Sequence, residues 1–318
     1  RWTFSLYWRR DGKPIWKDEN LVAAESANTG AGPQGAGDLL KAVADELGVN
    51  DSFVHPAYED PAEWILKEAN LPGNVTPANS KLKDPEERHR IAKVFERGLN
   101  APSGFVLPIQ RWQSKASGPR WRSERWKTRR GQLYLVPGDS PVGFRLPLAT
   151  LPYIPPASFP FVSVADPTEP RGPLPDFDEQ APVAADRPAP DQAIASFTPG
   201  DTNQQALVEQ YIGEIGGAVR TAIAVEPRDG RLCIFMPPVE RLEDYLELVA
   251  AAEAAARRIG QPVHIEGYGP PHDPRMNVIR VAPDPGVIEV NIHPASNWRE
   301  CVATTEAIYV EARQSRLG

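Results

Sequence analysis

Residues 220–236 read RTAIAVEPRDGRLCIFM, two apolar runs on either side of Asp229-Gly230. That dipeptide supplies the positive-φ positions of a tight turn, so the stretch predicts a strand Arg220–Glu226 returning as Leu232–Met236. Downstream, Leu242, Leu246, Val249 and Ala256 form one stripe at helical spacing, which predicts a long helix. A strand Pro262–Glu266 follows. A second hairpin pairs Val278–Ala282 with Val287–His293 across Asp284-Pro285-Gly286, and a last helix begins at Asn297, whose spacing to Glu300 is that of a capping box. The order ββαβββα, with a helix around Gln204–Ile215 before it, implies an α+β fold. Its mostly antiparallel sheet would carry helices on one face.

Upstream, Asp38–Leu47 places Leu39, Leu40, Val43 and Leu47 on one helical face, with Gly48 as the stop. Asp60-Pro61 and Asp84-Pro85 each open a helix with an aspartate cap and proline at the first helical position. Gly98 ends the second of these. Beyond Gly104 the runs GFVLPI, GQLYLV and GFRLPL read as extended pieces. Residues 166–200 are acidic, proline-rich and poor in large apolar side chains, and cannot offset the entropy of ordering, so they read as a linker. The expected division is an N-terminal α+β region (1–165), a linker or insertion (166–203) and a C-terminal α+β domain (204–318).

The net charge of -7 argues against bulk nucleic-acid or anionic-membrane binding. The opening RWTFSLYWRRDG is too charged for a signal peptide, and no apolar run approaches the ~18 residues of a membrane span. Cys233 and Cys301 lack the spacing of a disulfide framework and read as reduced, buried thiols, which points to the cytoplasm. The chain starts at Arg1 and stops directly after a helical run, and reads as an internal piece of a larger protein.

The sharpest chemical signal is Val287–His293, VIEVNIH. Strand alternation puts Ile288, Val290 and Ile292 on one side, expected under the helices, and Glu289, Asn291 and His293 on the other. A carboxylate, an amide and an imidazole in line suit a hard cation or a phosphate-bearing ligand, while the plain alternative is an amphipathic strand with one wet face. Glu226 and Glu266 end two further strands. Three glutamates on neighbouring strands of one sheet could form a Mg²⁺-binding floor, although carboxylates at strand ends often serve solubility alone. Between Arg111 and Arg130 lie eight Lys or Arg residues among Trp112, Trp121 and Trp126. This segment reads as a hairpin with inward tryptophans and snorkelling cations rather than a nucleic-acid groove or a phosphate clamp. Gly138-Asp139-Ser140 lacks the G-x-S-x-G spacing of a nucleophile elbow.

The stretches EPRDGRLCIFMPP, ERLEDYLELVAAAE, PVHIEGYGPPHDPR and PDPGVIEVNIHPASNW resemble the amidoligase region of large bacterial proteins that carry a transglutaminase-like domain. The likeness extends upstream through YWRRDGKPIWKD, AYEDPAEWILKEANLP and LVPGDSPVGFRLPL. It implies a sheet similar to that of glutamine synthetase and glutamate–cysteine ligase, Mg²⁺ and ATP, and amide formation between a peptide or small-molecule carboxylate and an amine. Carried over, Glu226, Glu266 and Glu289 are the implied metal ligands, Asn291 and His293 their cofactor-binding neighbours, and Arg228 and Arg275 the catalytic arginines facing phosphate or carboxylate. The transglutaminase-like domain is the implied partner in the same chain. The alternative is a non-catalytic module that positions substrate for that partner.

Overall fold

The computed structural model describes residues 3–70, 73–74, 76, 84–114, 118–128, 131–153, 170–177 and 217–316. These form an α+β structure of two compact units, one made of Trp16–Pro271 and the other of Arg1–Ile15 with His272–Gly318.

The larger unit is built on a mixed six-stranded sheet. Its strands are β2 (His55–Tyr58), β3 (Gly104–Pro108), β6 (Leu133–Tyr134), β7 (Ala222–Arg228), β8 (Arg231–Met236) and β9 (Val263–Gly267), in the order β6-β2-β3-β7-β8-β9. The pairs β2–β6 and β8–β9 are parallel and the others antiparallel. The sheet thus draws strands from both of the expected halves, 1–165 and 204–318. Most of the expected linker, and the helix expected at 204–215, lie outside the described residues. The described stretch 170–177 buries Leu174, and the carbonyl of Phe177 accepts from Lys17 Nζ at 2.9 Å.

Helices α1 (Pro33–Glu46) and α4 (Leu242–Ile259) cover one face of this sheet. Their buried stripes, Leu39, Leu40 and Val43 on α1 and Leu246, Val249 and Ala256 on α4, are those of the periodic reading. They pack over Val225, Leu232, Ile234, Met236 and Val263, all buried. Gly37 lets α1 descend on Phe105, whose ring a Cβ there would meet at 3.3 Å. The opposite face carries Ala57, Val106, Ala222, Ala224 and Phe235, packed under Trp126, Leu135, Val142 and Leu151. GFRLPL, expected as extended, instead forms 3-10 turns at Val142–Arg145 and Leu148–Thr150, because the prolines at 141 and 147 set helical φ values and remove ladder donors. Helices α2 (Pro61–Ala69) and α3 (Pro85–Arg97) start where the Asp-Pro pairs predict, with Asp84 accepting from Glu86 N at 2.9 Å.

β4 (Gln110–Ser114) and β5 (Gly118–Arg122) form a separate hairpin. Trp112, Trp121 and Trp126 are buried, and the guanidinium of Arg122 lies over the Trp112 ring at 4.1 Å. The inward tryptophans match the plain reading and remove the stacking platform that a nucleic-acid groove needs.

The smaller unit is a three-stranded antiparallel sheet, β1 (Phe4–Arg9), β10 (Met276–Asp284) and β11 (Val287–Ile292), with helix α5 (Trp298–Gln314). Asn297 caps α5, its side chain accepting from Glu300 N at 2.9 Å. Two expectations fail here. Ile288, Val290 and Ile292 are exposed among the described residues rather than packed under helices, since α5 contributes no buried residue. Cys301 is exposed, whereas Cys233 is buried as expected. No described helix is long and apolar enough to cross a membrane.

Candidate active site

Strand alternation gives β7, β8 and β9 one face toward the helices, while the opposite face is apolar at Ala222, Ala224 and Phe235 and turns polar at Glu226, Arg228 and Glu266. Register sets Glu226 beside Cys233 and Cys233 beside His264, while Phe235 lies beside Glu266. Arg228, two residues beyond Glu226, reaches across β8 to join the two carboxylates. Its Nε donates to Glu226 Oε1 at 3.1 Å, and Nη1 and Nη2 fork onto Glu266 Oε2 and Oε1 at 2.9 and 2.8 Å. The turn above closes the fourth oxygen, Val142 N donating to Glu226 Oε2 at 3.0 Å. Burial works against the guanidinium charge, but the two carboxylates outweigh it and hold Arg228 above its ordinary value. Burial pushes the Cys233 thiol up to about 11, so it stands neutral at pH 7 and is no nucleophile.

The Val142 turn is itself anchored by a buried ion pair. Arg145 donates Nη1 to Glu59 Oε1 at 3.0 Å and Nη2 to Oε2 at 2.5 Å, and its Nε binds Val136 O at 2.8 Å. Trp64 Nε1 and Ser103 Oγ complete the carboxylate, both at 3.2 Å. Burial works to raise the Glu59 pKa, yet Arg145, Trp64 and Arg97 together hold it below the usual range. Glu59 thereby fixes, through Arg145, the loop that presents Val142 to Glu226.

The implied site residues fall into separate groups. Glu226, Arg228 and Glu266 come together in the larger unit. Glu289, Asn291, His293 and Arg275 belong to the smaller unit, and Glu289 lies on the three-stranded sheet, so the expected single floor of three neighbouring strands is not what the chain forms. The long β8–β9 crossover through α4 keeps β9 in the large sheet, while β10 turns to pair β1 instead. Asn291 Nδ2 donates to Glu289 Oε1 at 2.9 Å, as alternation predicts for neighbours on one face. His293 stands past the strand end and meets the Trp8 ring edge-on at 5.5 Å. Arg275 is bound to buried Asp273, Nε to Oδ1 at 2.9 Å and Nη2 to Oδ2 at 2.8 Å.

Glu226 and Glu266 do not fit a magnesium ion as they stand. All four of their oxygens accept hydrogen bonds, and a guanidinium fills the place between them that a cation would take. No group of three or more His, Cys, Asp or Glu side chains that could hold a metal occurs among the described residues. A cavity of about 220 Å³ lies elsewhere in the larger unit, lined by Asp60, Gln132, Tyr134, Pro137 and Thr150 among others.

Phe144, Phe235 and Tyr268, whose rings meet one another at the register position of Glu266, were not singled out from the sequence. The pairs Gly143-Phe144 and Gly267-Tyr268 are the signal that could have found them. The Glu59–Arg145 pair, 86 residues apart, leaves no local trace.

No curated protein and no solved structure matches this chain. The family model described as "Putative amidoligase enzyme (DUF2126)" matches residues 1–318. The chain therefore belongs to that amidoligase family over its whole length.

Proposed function

We propose that the chain carries the active region of an ATP- and Mg²⁺-dependent carboxylate–amine ligase. The observation that carries this reading is membership of the amidoligase family along the entire chain, and the Glu226–Arg228–Glu266 triplet is its supporting geometry. Condensing a carboxylate with an ammonium in water is uphill, so ATP enters as a co-substrate. The carboxylate takes its terminal phosphoryl group, the amine displaces phosphate, and ADP, phosphate and a proton leave with the amide. Three N–H groups of Arg228 serve the two glutamates and hold both carboxylates at that corner. A triplet carboxylate oxygen, keeping a lone pair, accepts the proton that the ammonium sheds.

Magnesium prefers few protein ligands beside nucleotide phosphates. Glu289, exposed with Asn291 beside it, fits such a ligand. The ion would offset charge on the transferring phosphate. His293 lies next along the chain and Arg275 in the same unit, and both suit nucleotide phosphates in this reading. A transglutaminase-like domain in the same protein and a peptide-borne or small-molecule carboxylate remain the proposed partners.

The test is ADP release by the natural protein containing this chain, with Mg²⁺, ATP and a panel of carboxylates and amines. Amine-dependent ADP release, reduced at least a hundredfold by Arg228→Gln and by Glu289→Gln with both variants folded, is expected. Absence of ATP turnover across the panel would move the reading to a non-catalytic module that positions substrates. The guanidinium standing between Glu226 and Glu266, where a cation would sit, favours that alternative.

A further inference from the structure

Two exposed aromatic rings stand beside the triplet, and each follows a glycine that has no room for a side chain. Phe144 is 55% exposed and Tyr268 44%, yet both lean on buried Phe235, at 4.7 and 5.9 Å between ring centroids, and they meet each other at 5.5 Å. Phe235 is the register partner of Glu266, and the turn that carries Phe144 donates Val142 N–H to Glu226. A Cβ on Gly143 would come within 2.0 Å of the Phe235 ring, and one on Gly267, at φ 99°, within 2.7 Å of the Met236 backbone. Tyr268 is held further by its own N–H on Met236 O at 3.0 Å and by the Tyr245 hydroxyl donating to its carbonyl at 3.1 Å. Backbone so constrained, used to hold large rings half in water, is the arrangement of a binding surface rather than of a core.

Charge selects the ligand. Two carboxylates around one guanidinium leave the triplet with one net negative charge at neutral pH, and the ring faces add negative potential. A neutral ring gains nothing from Glu266. A cation gains from both. We infer that Phe144, Tyr268 and Glu266 form the subsite for a primary alkylammonium, the protonated amine substrate. The ammonium donates to a remaining lone pair of the Glu266 carboxylate, and its alkyl stem lies along the two rings. Assigning that ammonium to the reaction rests on the ligase reading; its binding does not.

The test titrates the chain with n-butylammonium, with n-pentanol as the neutral probe of similar size and acetate as the anion, following the Gly267 and Tyr268 amide signals by NMR at neutral pH. Saturable shifts with n-butylammonium, at least tenfold weaker with n-pentanol and absent with acetate, are expected. Phe144→Ala and Tyr268→Ala remove exposed rings, so both fold, and each weakens ammonium binding at least fivefold, while Tyr268→Phe retains it. Equal binding of n-pentanol and n-butylammonium, or unchanged binding in both alanine variants, overturns the subsite. Ammonium binding without any ATP turnover sinks the ligase reading and leaves the subsite standing; turnover without ammonium binding at these signals does the reverse.

Discussion

The two units use the same strand grammar to opposite ends. In the larger unit, alternation along β7 and β8 sends Val225, Leu232, Ile234 and Met236 into a closed core under α1 and α4. In the smaller, alternation along β11 leaves Ile288, Val290 and Ile292 at 44%, 39% and 38% exposure. Phe4 and Leu6 line the same face through their register with Val281 and Ile279. A strand pattern therefore says which residues share a face, and only the neighbouring elements say whether that face is dry. The polar faces differ too. In the larger unit the carboxylates are locked by a guanidinium, whereas Glu289 has an amide neighbour and open surroundings.

The comparison breaks most readily at the buried pair of the larger unit. Glu59→Gln leaves Arg145 without its counter-charge and should lower unfolding stability by about 3–5 kcal/mol, read by urea denaturation. A loss under 1 kcal/mol would mean that the loop layer is not held as described. Next in size is a matched pair of truncations. Leu232→Ala, in the closed core, should cost about 2–5 kcal/mol, while Val290→Ala, on the exposed face, should change stability by less than about 0.5 kcal/mol. Similar losses at both positions would show that the smaller unit's apolar face is covered in solution.

A pH titration sharpens the picture of the larger unit. Asp244 pairs with Arg111, Nε to Oδ1 at 3.2 Å, while its Oδ2 is buried without a hydrogen-bond partner. Burial pushes its carboxyl up to about 6, against Arg111 and with Glu247 adding to the rise. Between about pH 4 and 6 the folded chain keeps a proton that the unfolded chain has lost. The Asp244 contribution to stability is thus greatest below pH 4 and falls as pH rises to 6, by about 3 kcal/mol at most. Stability curves of the wild type and Asp244→Asn should diverge across that window, and parallel curves would refute the burial argument. The smallest effect is at the α5 cap. Asn297→Ala should lower stability by about 1 kcal/mol or less, measured by thermal denaturation, because the helix it starts buries no residue.

Much of the fold was legible because local signals were strong. Asp60-Pro61 and Asp84-Pro85 open helices for reasons of φ and capping that act within four residues, and Asp229-Gly230 turns with φ of 51° and 76° as its hairpin requires. The candidate site was only partly legible. Glu226 and Glu266 could be picked out as strand-end carboxylates, but their union through Arg228 depends on β8 lying between their strands. Glu289 was grouped with them because its strand looked like the next in the series, and β10 pairs β1 instead.

By itself, then, the sequence determined most of the helices, the strands of the two C-terminal hairpins, the inward tryptophans of the basic hairpin and the family, since each follows from short-range geometry or from long motifs read directly. Only the tertiary structure decided which strands share a sheet, that a guanidinium occupies the place between two carboxylates, and that Phe144, 91 residues before Phe235, leans on it beside Tyr268. Those are long-range pairings. They are chosen by the packing of whole faces against one another, and no local run of residues encodes that choice.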